Sequence, residues 1–178
     1  MIGDRLLQAI NDQIKNELES YYIYHSMAAY FHSISLDGMA HWMRCQAHEE
    51  MIHAMKFFDH VIDRGEKVVL QDLKQLKTEW SSPAEAFSDA YKHEQFISGK
   101  INELTTIARE EKDYASEPIL AWFSDEQIEE EANSGKIADE LEMVGSDKSA
   151  LLMLDRELGG RAFPPGSPLD PAAYKAAE

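Results

Sequence analysis

The stretch Arg44-Cys45-Gln46-Ala47-His48-Glu49-Glu50-Met51-Ile52-His53 decides the fold, because Glu50 and His53 stand where a helix carries apolar side chains. Extended both ways, the row Met39, Met43, Gln46, Glu50, His53, Phe57, His60 advances by alternate steps of four and three. That is the seam of an amphipathic helix, and its middle is ionisable. Residues three apart on a helix lie about 5–6 Å apart at Cβ, so Glu50 and His53 can grip one cation together.

Upstream, a first helix is predicted from Asp4, as N-cap, to about Ile34. Its seam reads Leu7, Ile10, Ile14, Glu17, Tyr21, Tyr24, Ala28, Phe31, with Glu17 a carboxylate in mid-core. Ser35-Leu36-Asp37-Gly38 predicts a tight turn with Asp37 capping the second helix. So short a link makes the two helices antiparallel. The second helix ends at Arg64-Gly65, a basic last turn followed by glycine.

Downstream, residues 65–81 read as one long connection, β-like over Gly65–Leu70 and then polar up to Trp80. In a four-helix bundle such a link crosses the bundle's length and sets helices two and three parallel. Ser82 caps the third helix, with Pro83 at its first position. That helix, about 83–112, has the seam Phe87, Tyr91, Glu94, Ile97, Ile101, Leu104, Ala108. After a turn at Asp113–Ser116, the fourth helix runs from Glu117 to Val144, with Pro118 in its first turn and Gly145 as its stop. Its seam is Leu120, Phe123, Gln127, Glu130, Ser134, Ile137, Leu141, Val144. A short fifth helix, about Lys148–Leu158, closes at Gly159-Gly160. The expectation is an all-α four-helix bundle with a long crossover between helices two and three and a short fifth C-terminal helix. Residues 1–160 form that domain, and 161–178 a Pro/Ala-rich tail, extended or disordered.

The polar seam positions form a set. Glu17, Glu50, Glu94 and the Gln127/Glu130 pair all fall near helix midpoints, which come to one level in a bundle. Adding 77 to Glu17, Glu50 and His53 gives Glu94, Gln127 and Glu130, so two hairpins related by that offset would build one site with pseudo-twofold symmetry. A single core glutamate is more often structural than functional. Four converging in a dry core would each cost several kcal/mol in desolvation and would repel one another. Neither Lys nor Arg occupies the central turns of any seam, so divalent cations are the simplest countercharge. Oxygen-rich ligands with one imidazole suit iron or manganese better than four-coordinate zinc. A Glu on each of two helices plus Glu-x-x-His on the other two is the ligand pattern of di-iron carboxylate bundles. Here the second Glu-x-x-His is replaced by Gln127-x-x-Glu130. The expected assignment gives one metal to Glu17, Glu50 and His53 and the other to Glu94 and Glu130, with Glu50 bridging. Gln127 is a weak neutral ligand or a hydrogen-bond donor beside the metals, so the second ion is held less firmly.

Bulk properties exclude other classes. The 178 residues carry a net charge of −16 and a pI near 4.7, which argues against nucleic acid or anionic membranes as partners. The single cysteine, Cys45, rules out an intrachain disulfide or a thiolate cluster. No secretory signal or membrane-spanning stretch is read from the sequence, and a cytoplasmic location is expected.

The sequence resembles the prokaryotic non-haem ferritins over nearly all of residues 1–161. The resemblance rests on Gln13-Ile14-x-x-Glu17, Tyr21-x-x-Tyr24, Trp42-Met43-Arg44, Glu49-Glu50-Met51-x-His53, Glu94, Gln127-x-x-Glu130 with Glu131, and Leu154–Leu158. It implies a ferritin-like bundle and a 24-subunit homo-oligomeric cage, with the fifth helix along the fourfold axes. It also implies oxidation of ferrous iron by dioxygen or hydrogen peroxide, and storage of ferric mineral. A third iron position is implied at Glu49, Glu126 and Glu129, sharing Glu130; the plain alternative for these glutamates is a solvated face. Tyr24 either donates a hydrogen bond or an electron near the metals, or is packing. No haem is expected. Met51 could offer a sulfur, but haem-binding relatives carry Glu-x-x-His in helix four. Rubrerythrin-like oxidases would need a cysteine-ligated module that is absent here. His25, His32, His41, His48 and His93 are expected at surfaces or interfaces, and His60 as a hydrogen-bonded core histidine.

Overall fold

The computed structural model describes residues 1–74 and 77–163; the expected tail from residue 164 onward lies outside them. Four long helices follow the predicted bounds closely: α1 Asp4–Ser33, α2 Asp37–Asp63, α3 Pro83–Glu110 and α4 Glu117–Val144. A single 3-10 turn, Tyr114–Ser116, precedes α4, and the short α5 spans Lys148–Leu158.

Apolar seams fill the bundle's two ends as separate clusters. One gathers Phe31, Met39, Met43, Phe87 and Leu141 at the end of α1 and the start of α2 and α3. The other gathers Ile10, Ile14, Phe57, Ile97, Leu104 and Phe123 at the opposite end. Since the starts of α2 and α3 share one end, these helices are parallel, as the long link requires. Phe57 and Phe123 stack face to face at 4.1 Å between centroids, and burying each such ring contributes about 1.5–3 kcal/mol.

The crossover climbs the outside of α1 without regular structure in its described residues. Val69 N–H donates to Asn11 Oδ1 at 2.7 Å, Lys74 N–H to Glu19 Oε1 at 3.1 Å, and Ser26 Oγ–H to the Lys77 carbonyl at 2.7 Å. Trp80 anchors its end, buried against Tyr30. The arc that α1 buries is wider than one seam and includes Ser20, which meets His93 of α3. Leu6, Gln13 and Ser20 are buried, whereas the expected seam residues Leu7 and Tyr21 are only half-buried.

The expected caps divide. Ser82 Oγ accepts from Glu85 N–H at 3.1 Å, as predicted. Asp4 and Asp37 instead sit inside the first turns of their helices, and neither helix has a side-chain cap of its own. Asp37 pairs with His32 Nδ1 at 2.8 Å. The start of α2 is capped from elsewhere, because Asp155 of α5 accepts from Met39 N–H at 2.8 Å. Gly38 is therefore not a turn residue. A Cβ there would lie 1.7 Å from the Asp155 carbonyl oxygen, so glycine is what lets α5 approach. The turn itself uses Ser35, at φ 61°.

Arg161–Phe163, at the start of the expected tail, lie against α2, with Phe163 edge-on to His41 at 5.2 Å. Among the histidines, His32 is exposed as expected, and His60 makes the expected hydrogen bond, to Ser116 Oγ at 2.9 Å, but is half-buried and not in the core. His48, expected at a surface or interface, is buried within the single chain, and half-buried His93 meets Ser20 Oγ at 2.7 Å. Cys45 is buried, 3.6 Å from His41 Nε2.

Candidate metal centre

Between the two apolar clusters lies a polar layer. Glu17 of α1, Glu50 and His53 of α2, Glu94 of α3, and Gln127 and Glu130 of α4 are all less than 5% exposed. Each helix contributes from its middle turns, so the layer follows from nearly equal helix lengths, 27 to 30 residues, and the 77-residue repeat.

Donor atoms converge in two groups. One atom each from Glu17, Glu50 and His53 lies within 4.8 Å of the others, and so do atoms of His53, Glu126 and Glu130. His53 links them, with Nδ1 3.6 Å from Glu50 Oε2 and Nε2 3.9 Å from Glu126 Oε1. The first group is the expected one. In the second, Glu126 stands where Glu94 was expected. Glu94 takes the Tyr24 hydroxyl on Oε1 and the Gln127 amide on Oε2, the latter at 3.2 Å. Gln127 is thus a donor to an acid, and Tyr24 makes a hydrogen bond rather than merely packing. Glu49 is half-buried and turned to Arg161, while Glu129 is exposed; neither joins a donor group.

The layer's electrostatics favour an incoming cation. Burial, reinforced by the charge of Glu50, pushes the Glu17 carboxyl up to about 8. Burial likewise pushes Glu94 up to about 7, although the bonds from Tyr24 and Gln127 act against it. Glu50 and Glu130 are raised by burial and then by the charge of Glu94. Burial opposes a charge on His53, but Glu126 and Glu50 outweigh it and hold the imidazole well above its usual range. Tyr24 is pushed upward by burial and by Glu94, which keeps its phenol a donor. A metal-free centre therefore stores protons, and a divalent ion would expel them. Among the described residues Glu17 Oε2 is buried with no hydrogen-bond partner, an acceptor that a water or a cation can fill. The carboxylate-rich donor set with one imidazole fits iron.

Three supporting residues were not among the expected ligands. Gln13 Nε2 donates to Glu17 Oε1 at 2.7 Å. Gln46 Nε2 reaches Glu50 Oε1 at 3.3 Å and Glu130 Oε2 at 2.5 Å. Arg161 touches Gln46 and Glu49. Gln46 stood in the seam and Gln13 three residues past Ile10, so their polarity was the available signal; Arg161 gave none.

Comparison with known proteins agrees with this geometry. The family model of the ferritin-like domain matches residues 7–144. The bacterial non-heme ferritin of Staphylococcus epidermidis is 38% identical over 163 residues, covering 92% of this chain and 98% of that protein. That of Staphylococcus aureus is 37% identical over the same length. Among solved structures, the open pore ferritin of the archaeon Archaeoglobus fulgidus superposes with a TM-score of 0.90 at 45% identity, over 91% of this chain and all of that one. A humanized archaeal ferritin gives 0.91 at 47%, over 93% of this chain and all of that one.

Proposed function

This chain belongs to the ferritin family, and from that premise we propose that it oxidises ferrous iron at the polar layer and stores the ferric product within a hollow homo-oligomer. The observation that carries the reading is the buried acidic layer on four helices, with Glu17 Oε2 left unpartnered. In the metal-free chain protons on the buried acids neutralise the layer, and a divalent cation would take their place.

In this reading Glu17, Glu50 and His53 bind the first ferrous ion, and Glu94 and Glu130 the second, with Glu50 shared. Gln127 orients Glu94. Two ferrous ions give one electron each to dioxygen, which with two protons leaves as hydrogen peroxide; with peroxide as oxidant, two water molecules result. Protons displaced from the acids when the metal binds are available for this step. Glu49, Glu126 and Glu129, sharing Glu130, form a third iron position beside the pair, and the ferric products hydrolyse and pass towards the cavity, where acidic side chains collect iron. The assembly has 24 chains, and the compartment is the cytoplasm. Among the described residues no helix is long and apolar enough to cross a membrane.

A loading assay tests this. The purified protein is given excess ferrous iron in air, freed of unbound iron by gel filtration, and its iron counted. Retention far above three per chain is expected. Retention of about two, as in a bare di-iron bundle, would make the protein an oxidase that stores nothing.

A further inference from the structure

A guanidinium from beyond the bundle reaches the carboxylate layer. Arg161 follows α5 and Gly159-Gly160, yet its Nη1 donates to Gln46 Oε1 at 2.8 Å and its Nη2 to Glu49 Oε2 at 2.5 Å. The same group lies 4.5 Å over the ring of Trp42. Its backbone is held as well, since the Arg161 carbonyl accepts from His41 Nε2 at 2.7 Å. Neither Lys nor Arg sits in the central turns of the seams, but the fold delivers a guanidinium from beyond the last helix.

Two consequences follow from the hydrogen bonds. With its oxygen held by Arg161, the Gln46 amide must turn its NH₂ inward, where it meets Glu50 and Glu130. Arg161 thereby orients a donor shared by both halves of the centre. Meanwhile Glu49 has an oxygen committed to a charge-assisted bond. Arginine does not lose its proton in a protein, so a cation drawing on that oxygen must displace the whole guanidinium. Half-buried Glu49 and Arg161 are screened from water on most of their surface, which keeps the pair from being a negligible surface contact.

We propose that Arg161 is a latch on the third cation position: it withholds Glu49 until a cation competes it away, and it fixes Gln46 in the meantime. The latch rests on the reading of Glu49, Glu126 and Glu129 as that position. Arg161 is a positioning residue, acting through Glu49 and Gln46. Its effect is to make the third cation bind after the pair and leave before it.

The test uses the assembled, metal-free protein titrated with zinc, which is redox-inert, by calorimetry. Wild type should fill two tight positions per chain before a third. In R161A the third should tighten about tenfold, as expected for removing a competing charged hydrogen bond. R161K, which keeps the charge but loses the planar fork, should fall between, and it carries the test if R161A fails to assemble. In an E49Q background R161A should change nothing at the third position. Trp42 gives a second readout. Its emission should shift with the third equivalent in wild type and not in R161A, with W42F identifying the signal. An identical third position in wild type and R161A, whether filled or empty, overturns the latch alone. Failure of wild type to fill even two positions would overturn the proposed function itself.

Discussion

The α1–α2 and α3–α4 hairpins carry their polar positions 77 residues apart, yet they leave the centre in opposite condition. In the first, donor atoms of Glu17, Glu50 and His53 already converge, and Glu17 keeps a buried oxygen with no partner. In the second, Glu94 is satisfied by Tyr24 and Gln127, and Glu130 by Gln46. Two of those quieting donors, Tyr24 and Gln46, belong to the first hairpin. A near-symmetric backbone thus builds an asymmetric site. Among the described residues Glu17 keeps one oxygen unpartnered, though Gln13 and Gln46 bond one oxygen each of Glu17 and Glu50. Both oxygens of Glu94, by contrast, must surrender hydrogen bonds to take a cation. Such inequality suits a site that iron passes through.

The strongest way to break this contrast is E50A, which removes the acid we propose is shared by both positions. Losing a residue that merely supports a ligand costs about 10–100-fold in metal affinity, so losing a shared ligand should exceed about a hundredfold at both, measured by zinc titration. Weakening of one position alone would show that Glu50 does not bridge.

Next comes pH. Glu17 and Glu94 hold protons up to about 8 and 7, against a usual 4.5. Between those values the folded chain binds protons that the unfolded chain lacks, so stability falls as pH rises. His53 acts in the same direction, its contribution being present below 6.5 and lost as pH climbs through its raised value. Melting of the metal-free protein should drop by roughly 5 °C or more from pH 5 to pH 8, and bound zinc should shrink the drop. A flat profile would deny that the centre stores protons.

Q127E sharpens the contrast by returning a carboxylate to the second half. The second position should tighten about tenfold, comparable to one charged interaction, with the first nearly unchanged and the metal-free protein less stable. The smallest effect is expected from Y24F. Losing the hydroxyl on Glu94 should cost about 1 kcal/mol of metal-free stability, read by denaturant melting. If instead iron oxidation slows while zinc binding is unmoved, Tyr24 serves as an electron donor.

Much of this was legible in the sequence because helical periodicity and burial are local. Glu17, Glu50, His53, Glu94, Gln127 and Glu130 interrupt apolar seams, and all six are buried in one layer. Partners supplied through tertiary contacts were not legible. Asp155 caps Met39 from α5, so the local candidate Asp37 was the wrong reading. Glu126 lies one residue off the seam, and only packing reveals that it faces His53. Arg161 sits after the last helix, where no periodic pattern remains to say which way a side chain turns.

The most direct test of the two unequal halves is an anaerobic titration of the assembled, metal-free protein with ferrous iron, in wild type and E94Q. The account predicts two ions per chain at the centre with distinct affinities, and loss of only the weaker one in E94Q. A single class of equal positions, or an E94Q variant that loses both alike, would contradict it.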